Sequence, residues 1–428
     1  MSAHLQFWTF RVPFVAIDRQ HSCGLRCLRS NFFALCKILP SQTSLLLGLR
    51  IELVYRPRTG AGLCRSSPTG LAQKLTSQRY NMIDSLAARS VLAATVLALL
   101  LPVLSSAQDV VNSPYVASGA TGSVHIYPTP AYSQQIEAQR GPANALGVLG
   151  YNCGPLMTGN NFYAIFWIPP TLQNGNSTSL TAKYQSVAKQ FLADYPFHGI
   201  SNNSTQYYSQ PVATPCAGTK TYWKGPGGLS ASYVDTNPYP SSGCSDSVTP
   251  GNCITDSQLR SEIQAVMTLK GWTGGFNKIF IVFTSTGEGS CSDGTSSSCA
   301  YTQYCAYHGN FGSTSNPVIY ANMPYANPTY CYSSSSGQHS PNGDLPSDAN
   351  VSVTSHEITE ANTDPLVAAG PFGWYDTANG EEIGDLCAWH FGTADWDSGL
   401  ANQMWNGHFY DLQLEYDNHT STCVKLGP

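Results

Sequence analysis

Apolar positions along the second half of the chain fall into short runs and helical stripes. The run "NFYAIFWIPP" from Asn161 is a buried strand ended by a proline pair. In "SLTAKYQSVAKQFLADY", Leu180, Tyr184, Val187, Phe191 and Tyr195 share one helical stripe. "TDSQLRSEIQAVMTLKGW" repeats the pattern with Leu259, Ile263, Val266 and Leu269. Thr255 and Gln258 suit a capping box there, and Gly271 a C-terminal stop. "KIFIVFTST" is the clearest strand; "NPVIYANMPY" is a second, whose residues 317–323 offer an edge to an extended substrate. Between them lies a cysteine-dense stretch, 286–316, expected as loop. Residues 326–349 are expected as loop for their Ser, Asn, Gly and Pro content, and "HFYDLQLEYD" alternates like a single strand. Interleaved strands and helices predict an α/β (α+β) fold with one main core over 151–428.

"VTSHEITEANTDP" raises the question of chemistry. On a helix over 350–362, Val351, Thr354, Ile358 and Ala361 form an apolar arc. His356 and Glu360 lie opposite, one turn apart, so their side chains converge on one ion. Zinc accepts imidazole nitrogen and carboxylate oxygen at similar distances, and Glu357, at the edge of the same face, is then free to act on water. A helix supplies two ligands. The third comes from "GEEIGDLC", where Glu382 and Asp385 are the first candidates. Asp364 ranks second, because Pro365 ends the helix there, and His390 and His408 complete the set. The oxygen-rich donor set also suits Ca²⁺.

Composition separates the ends of the chain. Residues 82–107, "MIDSLAARSVLAATVLALLLPVLSSA", have one arginine, an apolar run too short for a membrane span, and small residues before Gln108, as a signal peptide does. Residues 1–81, with 11 Lys/Arg and two acids, read as a leader upstream of the true start at Met82. Residues 108–150 are rich in Gly, Pro, Ser and Ala and are expected as a linker or arm. From Gln108 on, 9 Lys/Arg stand against 23 Asp/Glu, a net charge of -14. That excludes nucleic acid as a partner and speaks against a membrane surface. Ten cysteines in an exported chain allow up to five disulfides. Sequons at Asn176, Asn202, Asn203, Asn350 and Asn418 fit a secreted glycoprotein.

"SHEITEANTDPL", "GWYD", "GEEIGDLCAWHFGT" and "STCVKLG" resemble the C-terminal part of the phosphate-induced protein 1 (EXORDIUM-like) family of secreted proteins; "NKIFIVFTST" and "YCAYHGNF" resemble its central part. Plant members of that family are extracellular proteins linked to growth, without an established enzymatic activity. Their counterpart of the helix segment lacks these acids and this histidine. The chain is similar to the microbial branch, which keeps them and resembles a zincin-type metallopeptidase. The resemblance implies a zincin-like mixed sheet with an active-site helix. Its site residues here are His356, Glu357, Glu360, Glu382 and Asp385, with Cys387 and Cys423 paired. The expectation is therefore a secreted Zn²⁺ hydrolase of peptides or proteins, Glu357 acting as base. The alternative is a non-catalytic extracellular or cell-wall protein with a structural metal or none. Trp374 and Tyr375 are expected in the core or lining a pocket. Glu357 and Glu360 as paired glycosidase carboxylates rank last, because one helix face cannot flank a sugar from both sides.

Overall fold

The computed structural model describes residues 113–428 apart from 120–121, 141–148, 197, 212–215, 293–296 and 369. The expected leader and signal segments lie outside the described residues. All described residues belong to one compact unit. None of their helices is long and apolar enough to cross a membrane.

A seven-stranded mixed sheet organises the fold. Its strands are β1 (Val116–Gly119), β2 (Gly122–Pro128), β3 (Asn160–Trp167), β4 (Gly227–Asp235), β5 (Lys278–Thr284), β6 (Tyr304–Ser313) and β7 (Asn316–Met323). Their order is β1-β2-β6-β7-β5-β3-β4. The strands β7, β5, β3 and β4 run parallel, while β1, β2 and β6 add an antiparallel flank. Helices α1 (Pro130–Arg140), α2 (Ala182–Asp194), α3 (Asp256–Lys270) and α4 (Leu345–Thr363) complete the frame. Neighbouring residues on a strand point to opposite faces. His308 on β6 meets α4, whereas Tyr307 beside it donates to Asp256 of α3. So α3 covers one face, and α4, packed against α2, covers the other. The α3 ends follow the sequence reading: Thr255 and Gln258 form the capping box, and Gly271 closes the helix in the left-handed region.

Several expectations change. Residues 108–150 are not a free arm: β1, β2 and α1 lie there, and β2 is an inner strand. Strand β6 runs through the supposed loop 286–316, hidden because it is buried on both faces and lacks alternation. Strand β7 offers no edge, since β6 and β5 flank it. "HFYDLQLEYD" is two short strands, His408–Tyr410 and Glu415–Asp417. Between them Leu412 N donates to Asn402 Oδ1 and Gln413 N to Ser352 Oγ, side chains replacing a ladder. Asn203 and Asn350 are fully buried, so no glycan fits at those two sequons.

Five disulfides pair all ten cysteines of this region: Cys153–Cys216, Cys244–Cys253, Cys291–Cys299, Cys305–Cys331 and Cys387–Cys423. Away from them, the buried Glu288 accepts from Gln173 through Oε1 while Oε2 has no hydrogen bond. Burial pushes its carboxyl up to about 8, with the Gln173 bond opposing. A raised carboxyl pKa favours the fold fully below about pH 4.5, and that contribution is lost as pH climbs through 8. Glu288→Gln keeps an acceptor for Gln173 and removes the ionisation. It is expected to be more stable than the parent above pH 8 by about 2–4 kcal/mol, with no gain at pH 4, in thermal melts across that range.

Candidate metal centre

Helix α4 begins at Leu345, five residues before the expected start. Asp344 caps it by accepting from Ser347 N, Pro346 sits in its first turn, and Pro365 follows its end. Residues 347–363 are all buried, polar and apolar alike. The helix is therefore not a surface element with one wet side. Its polar side is enclosed by the sheet and by the C-terminal loops, which explains the absence of an amphipathic stripe.

Three histidines and four acids meet in that enclosure, each fully or almost fully buried. His356, Glu357 and Glu360 come from α4. Glu382 and Asp385 come from the turn after residue 380, as expected from the sequence. His125 and His308 come from β2 and β6 and were missed. They are direct partners in the antiparallel register, His308 opposite His125, with ring centroids 5.7 Å apart. His125 was hidden because its segment read as an arm. The signal was there in "GSVHIYP", a short alternating run between turn residues.

The turn is pressed against the helix. A side chain at Gly384 would come within 2.4 Å of His356 Nδ1 and 2.9 Å of Glu360 Oε1, so only glycine fits. Asp385 Oδ2 accepts from the Glu382 backbone at 2.9 Å, and Cys387–Cys423 ties the turn to the C-terminal hairpin. Tyr127 stacks on His356 at 4.0 Å and Tyr115 on His125 at 6.1 Å. Trp374 lies in the core, and Tyr375 meets His125 edge-on.

Two groups of donors emerge. His125, Glu360 and Asp385 form the first, and His308, Glu357 and Glu360 the second; the ligand atoms of each lie within 4.8 Å of one another. In the first, His125 Nε2 is 2.5 Å from Asp385 Oδ2. In the second, His308 Nδ1 stands 3.2 Å from Glu357 Oε2 and 3.5 Å from Glu360 Oε2. Tetrahedral zinc with bonds of about 2.0–2.1 Å sets its ligand atoms about 3.3 Å apart, close to the separations in the second group; the His125–Asp385 pair of the first stands at hydrogen-bond distance and must part to admit an ion.

His356 is held differently. Gln413 Oε1 accepts from Trp389 N, and its Nε2 donates to Gly384 O, which fixes the amide's orientation. That Nε2 is 3.0 Å from His356 Nδ1. The ring in its neutral form accepts there through Nδ1; its Nε2 lies 3.0 Å from Glu360 Oε1, and neither of those two atoms has a hydrogen bond. Burial pulls the His356 imidazole down to about 3, consistent with the neutral form. A metal-ligating histidine normally donates its second nitrogen to an acceptor. His356 faces a donor instead.

Electrostatics makes the cluster unusual. Burial, then neighbouring carboxylates, pushes Glu357, Glu360 and Glu382 well above the carboxylate range. Glu415, also unmarked in the sequence reading, is raised by burial and by Glu360 and Asp385. Burial lowers His308 well below its usual value. For His125 burial also pulls down, but Asp385 and Glu360 outweigh it and hold the imidazole raised. The Lys and Arg ion pairs among the described residues are Arg260–Asp256 and Lys425–Asp395, neither in the cluster. Glu357 Oε1, both oxygens of Glu360 and of Glu382, and Asp385 Oδ1 are buried without a hydrogen bond. Lone pairs converging in this way call for a cation. Nitrogen together with carboxylate oxygen suits zinc better than calcium.

Of the remaining candidates, Asp364 borders the cluster and the two histidines lie away from it. Asp364 Oδ1 accepts from Gly373 N, burial raising its carboxyl to about 7, and its carbonyl oxygen faces His308 Nε2 at 3.4 Å. His390 is exposed, and His408 pairs with Asp194.

No protein-family model matches the chain, and no solved structure matches it. A stretch of 72 residues, 16% of the chain, is 44% identical to Protein EXORDIUM-like 3 of Arabidopsis thaliana. The match spans 20% of that relative's length. The chain thus carries a local likeness to an EXORDIUM-like protein.

Proposed function

We propose that the protein is a secreted, zinc-dependent hydrolase acting on peptide or protein substrates. The observation that carries the reading is the enclosed convergence of His125, Glu360 and Asp385, with Glu357 beside them and no Lys or Arg ion pair to neutralise the acids among the described residues. The nitrogen donor grouped with Glu360 and Asp385 is His125, while His356 lies beside them with its Nδ1 facing the Gln413 amide. A zinc ion held there supplies Lewis-acid chemistry, polarising a carbonyl and acidifying water. Gln413 steadies His356, which lies 3.0 Å from Glu360. Glu357 Oε1, free of hydrogen bonds, takes the proton of the attacking water and returns it to the leaving amine. Secretion is supported by the sequence of 82–107 and by the five disulfides, which persist in oxidising compartments.

One observation favours the second reading, a non-catalytic extracellular or cell-wall protein with a structural ion. Every donor is buried, and aromatic rings cover two of the imidazoles, Tyr115 over His125 and Tyr127 over His356. Metal analysis of the secreted protein, followed by casein hydrolysis with and without chelator, separates the two. The hydrolase reading expects bound zinc and chelator-sensitive cleavage. Bound metal with no cleavage of casein or of broad peptide libraries would leave the structural reading.

A further inference from the structure

We infer that the centre holds two divalent cations bridged by Glu360, one on His125 and Asp385, the other on His308 and Glu357. This rests on the metal-dependent reading above and extends it from one ion to a pair.

The two donor groups are not one site described twice. Each has its own imidazole and its own carboxylate, and they share Glu360 alone. Both oxygens of Glu360 are buried without a well-formed hydrogen bond, Oε1 lying 3.0 Å from His356 Nε2 and Oε2 3.5 Å from His308 Nδ1, so the carboxylate reaches toward both groups. The register of β2 and β6 sets the two imidazoles side by side at 5.7 Å. That spacing suits bridged ions about 3.5–4 Å apart.

Glu382 supports both imidazoles from behind. Its Oε1 is 3.3 Å from His125 Nδ1 and its Oε2 is 3.7 Å from His308 Nε2. The Asp364 carbonyl oxygen also faces His308 Nε2, at 3.4 Å. His308 Nε2 is in hydrogen-bond reach of the Asp364 carbonyl, whereas His125 Nδ1 has no hydrogen bond; His125 Nε2 lies toward Asp385 and His308 Nδ1 toward Glu357 and Glu360. A carboxylate on the far nitrogen is the usual way an imidazole ligand is oriented. Glu382 thus lies behind both imidazoles with its two oxygens free of hydrogen bonds.

Charge points the same way. Glu357, Glu360, Glu382 and Asp385, with Glu415 and Asp364 close by, carry more negative charge when ionised than a single divalent ion balances, in an enclosure without a Lys or Arg ion pair among the described residues. In this arrangement Glu357 holds the second ion through Oε2, and its Oε1 remains the proton acceptor.

The test is metal stoichiometry on the full secreted chain, stripped and then titrated with Zn²⁺, read by native mass spectrometry and elemental analysis. Two equivalents per chain are expected. His125→Gln and His308→Gln are each expected to fall to one. Loaded with Mn²⁺, the parent should give an exchange-coupled paramagnetic resonance signal, and either variant an isolated six-line signal. Saturation of the parent at one equivalent overturns the pair, and needs no variant to fold. Removal of the same single ion by both substitutions also overturns it. One ion with chelator-sensitive cleavage would sink the pair and leave the hydrolase reading standing. Two coupled ions without cleavage would uphold the pair and remove the hydrolase.

Discussion

Glu357→Gln is expected to lower cleavage of a protein substrate by about 10²–10⁴-fold, the range that a positioned acid or base contributes. Glutamine is nearly isosteric, so the buried packing of α4 survives, and Glu360 and its neighbours keep their places. What changes is the atom that takes the proton. The ion on His125, Glu360 and Asp385 is expected to stay, because Glu357 is outside that group; the second ion, which uses Glu357 Oε2, is expected to leave. Metal content and turnover, measured on the same preparation, check both halves. Full turnover in this variant removes Glu357 from the chemistry.

Removing the metal is expected to lower the melting temperature by about 10 °C. Ligands present at about 1,000 times their dissociation constant stabilise a fold by about 4 kcal/mol, and each kcal/mol moves the melting point of a domain somewhat smaller than this one by about 2–4 °C. The cause here is specific. Without a cation, four adjacent buried carboxylates must share protons or repel one another, and their oxygens lack hydrogen bonds. Differential scanning calorimetry before and after dialysis against chelator checks this, and re-addition of Zn²⁺ should restore the melt. An unchanged melting point argues against any ion in the cluster. The prediction is common to the catalytic and the structural reading, whereas the Glu357 variant separates them.

The acids of the centre were legible because they sit close together in the chain. Glu357 and Glu360 follow from helical spacing, and Glu382 and Asp385 from a compact acidic turn. The cysteines were countable, and the pairing of Cys387 with Cys423 implied by the family resemblance is present. The histidines were less legible. His356 was visible in the helix, but the partner of its Nδ1 is Gln413, which lies 57 residues away in an irregular segment. His125 and His308 are 183 positions apart in the numbering and become neighbours only through the register of β2 against β6.

Local order in the chain determined the helix that carries the acids, its stop at Pro365, the α3 caps and the strands β3, β5 and β7, because periodicity and capping act over a few residues. Tertiary structure alone decided which nitrogens face those acids, that the polar side of α4 is enclosed, and that Gly384 must be bare to let the turn reach the helix. Those properties depend on strand register and on contacts between distant segments. Neither leaves a trace in the spacing of residues along one stretch of chain.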